Sequence, residues 1–133
     1  MLAPGGRCVA VTNGGQHIRA LRDVLERAVG RSTPGWRQRA SAGEFTAENG
    51  ADQLAAAFPA VTLVRPDPGH PVVIRDAAVA AGYVASLADH YQDEVGRPWA
   101  AVVEDVRGQV QAVISDRGAF TTYGDVVAFT CRA

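Results

Sequence analysis

Leu2-Ala3-Pro4-Gly5-Gly6-Arg7-Cys8-Val9-Ala10-Val11-Thr12-Asn13-Gly14-Gly15 is the stretch on which the fold of this chain turns. Pro4 presets φ and the two glycines after it supply a tight reversal, so the chain turns just before Arg7. Arg7 to Thr12 is then a short β-rich run, with apolar residues too dense to alternate. Bounded by turn residues at both ends, it fits a strand buried on both faces, as in a parallel sheet. Such a strand needs a neighbour on each edge, and no strand precedes it. That is the pattern of a chain entering in the middle of a domain.

Outward from that strand the period changes. Ile18, Leu21, Leu25, Ala28 and Val29 share one helical face, and Gly30 stops the helix. Residues 31–43 form a polar connector with one aromatic anchor, Trp36. A short second helix follows, with Asn49 as N-cap, Asp52 in its first turn and Leu54 with Phe58 as its core pair. Val61 to Val64 is a second strand, closed by the breaker run Pro66-Asp67-Pro68-Gly69-His70-Pro71. Asp76 caps a third helix, in which Val79, Tyr83, Leu87 and Tyr91 recur every four residues. A fourth, from Pro98 to Gly118, carries Trp99, Val102, Val103, Val106, Val110, Val113 and Ile114 on its apolar stripe. Phe120 to Cys131 reads as a final strand interrupted at Gly124-Asp125, or as that strand preceded by a short one. The expected order is β-α-α-β-α-α-β, with three strands and about four helices.

Composition bounds the function. At 133 residues, 47% hydrophobic and 20% charged, the chain has the size and balance of one globular domain. A formal charge of -1 leaves no basic footprint for nucleic acid. No apolar run reaches the roughly 18 residues of a membrane span, and the first residues lack the basic and apolar regions of a signal peptide. A cytoplasmic domain is expected. All 13 basic residues are Arg, which excludes Schiff-base, Walker-type and general-base lysines. The three His and the carboxylates show no metal-ligand spacing, and there is no nucleophile elbow. Cys8 and Cys131 make neither a disulfide framework nor a metal site.

The opening stretch resembles the fifth strand of class I S-adenosylmethionine-dependent methyltransferases, where a helix ends in a Leu-x-Pro-Gly-Gly-x turn. Thr12-Asn13-Gly14 followed by His17 resembles the loop after that strand in a bacterial, type 11-like branch. Phe45-Thr46-x-Glu48-Asn49-Gly50, then Leu54, Phe58 and Val61-Thr62-Leu63, resembles its helix leading to the sixth strand. Tyr83-x-x-Ser86 and Gly118-x-Phe120 with Asp125-Val126-Val127-Ala128-Phe129 complete the order. The resemblance implies an α/β fold, the C-terminal half of a Rossmann-like methyltransferase, with the last strand antiparallel between the other two. It divides the chain into residues 1–66 (strand-helix-helix-strand), 67–118 (helical insertion) and 119–133 (final strand). The Asp/Glu-x-Gly-x-Gly turn that builds the family's cofactor site is missing. S-adenosylmethionine is therefore implied by resemblance only, and the isolated chain is expected to bind none and to be inactive alone.

What the resemblance implies for partners is a small-molecule acceptor, and an N-terminal methyltransferase half in trans. A homodimer through the strand at Arg7–Thr12 is the alternative, in which the chain is a non-catalytic dimerising or ligand-binding module. Candidate acceptor contacts are Asn13 and His17, which follow the C-terminal end of the first strand, where ligands bind in open α/β sheets. Turn chemistry explains Asn13 equally well, and His17 then lies in an exposed first helical turn. Trp36, Glu44 and Phe45 sit in or beside the connector, where an aromatic ring stacks on a flat acceptor or anchors the loop. No catalytic, cofactor-binding or metal-binding residue is assigned.

Overall fold

The computed structural model describes residues 3–39, 45–66 and 70–133. Leu2, Glu44 and the Asp67-Pro68-Gly69 part of the breaker run lie outside them. The fold is mixed α/β: β1 (Arg7–Asn13), α1 (Arg19–Gly30), α2 (Gly50–Ala55), β2 (Ala60–Val64), β3 (Pro71–Ile74), α3 (Ala77–Ala85), α4 (Ala88–Tyr91), α5 (Trp99–Arg117), β4 (Phe120–Tyr123) and β5 (Val126–Arg132). A single 3-10 turn, Gln92–Glu94, follows α4. The chain divides into two compact units: Met1–His17 with Ala40–His70 and Tyr123–Ala133, and Ile18–Arg39 with Pro71–Thr122.

The first unit is built on a three-stranded sheet of order β1-β5-β2. β5 runs antiparallel to both neighbours, so β1 and β2 are parallel to each other. The last strand thus lies between the other two, as expected. Strand count and wider topology differ from expectation, because β3 and β4 form a second, two-stranded sheet. Gly124-Asp125 therefore separates two strands in different sheets rather than interrupting one.

β1 is not buried on both faces. Cys8, Ala10 and Thr12 are half-buried, whereas Val9 and Val11 are 63% and 64% exposed. The dense apolar run thus carries an alternation hidden by its composition, since both faces use small or β-branched apolar residues. On the covered face Val127, Phe129 and Cys131 are fully buried, with Phe45, Leu54, Phe58 and Val61 packed around them. Phe129 makes an edge-to-face contact with Phe45 at 5.4 Å. Gly50 permits it, because a Cβ there would come within 2.6 Å of the Phe129 ring. On the other face Val9, Val11 and Val64 point to solvent. One edge of β1 is paired with β5, and its other edge has no strand among the described residues.

The second unit is a helical core. Leu21, Val24, Leu25, Ala28 and Val29 of α1 are buried, as are Trp99, Val102, Val106 and Val110 of α5. Gly118, at φ 82°, closes α5, a left-handed position suited to glycine. The core face of α3 differs from the expected one. Ala77, Ala80, Ala81 and Val84 are buried, while Val79 is 61% exposed and Tyr83 37%. Small residues let α3 lie close against α5, so Val79 and Tyr83 are turned outward, while Leu87 and Tyr91 of the same series fall beyond the end of α3 and pack half-buried against the core. Asp76 caps α3 as expected, accepting from the Ala78 N–H at 2.9 Å. α1, grouped by sequence with the first segment, belongs with α3 and α5. Asp105 binds Arg97 at 2.7 Å and Arg31 at 3.1 Å, and Arg97 also donates to the Ala28 carbonyl at 2.7 Å.

Candidate functional site

At the C-terminal end of β1, three loops of the first unit are knitted together by hydrogen bonds. The Thr12 hydroxyl donates to the Phe45 carbonyl at 2.6 Å, and the Ala47 N–H donates to the Asn13 carbonyl at 3.2 Å. These bonds hold residues 45–49 beside the end of the strand. Asn49 occupies the N-cap of α2, but its side chain accepts from the Thr46 N–H at 2.8 Å and so closes the turn instead of capping the helix. From the next loop, the Gly15 N–H donates to Glu48 Oε1 at 2.9 Å. That bond is the first cause holding the Glu48 carboxyl below its ordinary pKa. Its own backbone N–H and Thr46 add to it, Arg65 contributes by charge, and partial burial opposes them. Glu48 is an exposed carboxylate with a fixed orientation.

The β4–β5 turn closes the cluster. Gly14 N–H donates to the Asp125 carbonyl at 2.8 Å, extending the β1–β5 ladder by one residue. Asp125 N–H donates to Nδ1 of His17 at 3.1 Å. A neutral imidazole that accepts at Nδ1 carries its proton on Nε2, so His17 is oriented as a donor through Nε2. Asp125 is 9% exposed, and its carboxylate lies in the space left by the missing side chain of Gly14. Its Oδ1 has no hydrogen-bond partner and stands 3.7 Å from Arg65.

Three expected residues therefore meet in one place. Asn13 ends β1 exposed, His17 is fixed by Asp125, and Phe45 is half-buried over Phe129, where it serves the core more than a ligand. Trp36 does not join them. It belongs to the second unit, 8% exposed, edge-on to Tyr91 at 5.4 Å and donating from Nε1 to Glu94 at 3.4 Å. It is the loop anchor of the two alternatives. Glu48 and Asp125 enter the sequence reading only as members of the resemblance motifs, Arg65 does not enter it, and none of the three is among its candidate contacts. A charged residue set inside a β-rich run was the available signal for Asp125.

The arrangement offers an oriented His17 beside two carboxylates, with the exposed Asn13 at the end of the strand, a set of groups suited to a small polar molecule. It does not fit S-adenosylmethionine. The Gly14-Gly15 turn makes no open cradle, because Asp125 fills the space over Gly14. Among the described residues no group of three or more His, Cys, Asp or Glu is placed to hold a metal ion, and no helix is long and apolar enough to cross a membrane. The chain matches no protein-family model and no curated protein.

Proposed function

We propose that the chain is the acceptor-side half of a class I S-adenosylmethionine-dependent methyltransferase, acting on a small molecule in the cytoplasm. The observation that carries this reading is the β1-β5-β2 order, with β5 antiparallel between two strands that are parallel to each other. It is the arrangement that the resemblance implies for the fifth, last and sixth strands. The edge of β1 that carries no strand among the described residues supports the reading further, since a cofactor-binding half would pair there. In such an assembly the chain's share is positioning. Asn13 and the Nε2–H of His17 orient the acceptor, and Glu48 receives a hydrogen bond from it. The cofactor and the chemistry it supplies belong to the other half.

The test is to read the DNA upstream of the first codon, express any half that carries a strand followed by Asp/Glu-x-Gly-x-Gly, and mix it with this chain. Calorimetry with S-adenosylmethionine is expected to show binding by the complex and none by the chain alone. Val9→Pro, which places a ring on the edge of β1 that faces away from β5, is expected to weaken the complex. A stable complex that never consumes S-adenosylmethionine across a panel of acceptors overturns the reading. The same uncharged edge, Cys8 to Asn13, favours one other reading, a homodimer through β1. A concentration-dependent dimer in sedimentation, lost in Val9→Pro, identifies it.

A further inference from the structure

The uncovered face of the three-stranded sheet has an order of its own. Arg7 and Arg132 are direct cross-strand partners at one end of it. Toward the other end lie Val9, then Val11 beside Ala128, which in turn neighbours Val64. Like charges directly opposite each other on a sheet are destabilising, yet neither arginine has a carboxylate partner among the described residues. A groove of about 470 Å³, lined by Arg132, Thr130, Thr62 and Ala60, opens at the same end.

The geometry points to a docking site for one amphipathic α-helix of a partner protein, laid along the strands with a carboxylate over Arg7 and Arg132 and an apolar stripe over the valines. The outer strands of three are about 10 Å apart, which is the diameter of a single helix. Seven strand residues span roughly 23 Å, the length of about 15 helical residues. A second copy of the chain is a poor occupant, because its matching face has the same two arginines and no acidic residue. The inference does not depend on methyl transfer, since it rests on the charge and width of this face alone.

Two stapled helical peptides of about 15 residues test it, alike in a leucine stripe and differing in two Glu or two Lys at one end. Fluorescence anisotropy with the full chain is expected to show the Glu peptide binding about tenfold or more tightly than the Lys peptide, because like-charge juxtaposition is costly. The preference is expected to fade at high salt. In Arg7→Glu/Arg132→Glu it reverses, and amide shifts in the wild-type chain fall on Val9, Val11 and Ala128. Equal binding of both peptides, binding of neither, or shifts confined to the covered face overturns the proposal. If the double variant does not fold, the wild-type preference alone decides. Failure here leaves the methyltransferase reading intact, because neither peptide carries a strand or touches cofactor.

Discussion

The two units solve the burial problem differently. The helical unit closes its core with its own residues: Val84, Val102, Val106 and Val110 have no exposed surface. The sheet unit closes one face to the same degree, at Val127, Phe129 and Cys131, and leaves the other open at Val9 and Val11. Soluble proteins rarely leave a contiguous apolar face bare, and where they do it marks an interaction site. The open face of the sheet unit is where the proposed partner helix would lie, and each of the following changes sharpens or breaks that contrast.

The largest effect is expected at Phe129. Its ring fills the covered face against Phe45 and Gly50, and Phe129→Ala is expected to cost about 3–5 kcal/mol in urea unfolding. A loss below about 1 kcal/mol would mean that the covered face is no core, and the contrast fails. In the helical unit the polar counterpart is Asp105. Burial pushes its pKa up, but hydrogen bonds from Arg97 and Gln109 and the charges of Arg31 and Arg97 outweigh burial and hold it below the ordinary value. A lowered folded pKa contributes stability that is present above the unfolded value and lost as pH falls through the folded one. Asp105→Asn is therefore expected to cost about 1.5–3 kcal/mol at neutral pH, shrinking toward acid. A pH-independent difference between variant and wild type would remove the charge from the account.

How much of this was legible follows the same division. α1 and α5 announced themselves by a bulky apolar stripe at helical spacing, whose centre proved to be the core, with Ile18, Val103, Val113 and Ile114 packed half-buried at its margin. α3 misled because its buried face is alanine, which hydrophobic periodicity undercounts. β3 was missed because Pro71-Val72-Val73-Ile74 is short, abuts a breaker run and gains its partner β4 about 50 residues later. The antiparallel place of β5 was legible only through resemblance, since nothing local in Val126–Arg132 fixes its neighbours. The position of Asn13 and His17 at the end of β1 was legible from the strand that precedes them. Asp125 was not, because its link to His17 spans 108 residues of chain.

That link makes a third, smaller prediction. His17→Ala strands the Asp125 N–H, at an expected cost of about 1–2 kcal/mol, with the fold kept. In the assembled enzyme of the proposed function it is expected to lower acceptor turnover more than cofactor binding. Turnover equal to wild type would take His17 out of the site.

The smallest effect carries the contrast furthest. A strand buried on both faces would not survive Val9→Asp, since an unpaired charge in a sheet interior is among the costliest changes known. With Val9 63% exposed on an edge strand, the carboxylate stays in water. The cost to the chain alone then reduces to lost β-propensity, about 1 kcal/mol or less. The same substitution places a charge in the middle of the face that a partner helix would cover, so it is expected to abolish that docking while leaving the melting curve of the free chain nearly unchanged. Stability and association would thus separate at one residue. If Val9→Asp unfolds the free chain, the open face is covered in solution by the chain itself, and the sheet unit is as self-sufficient as the helical one.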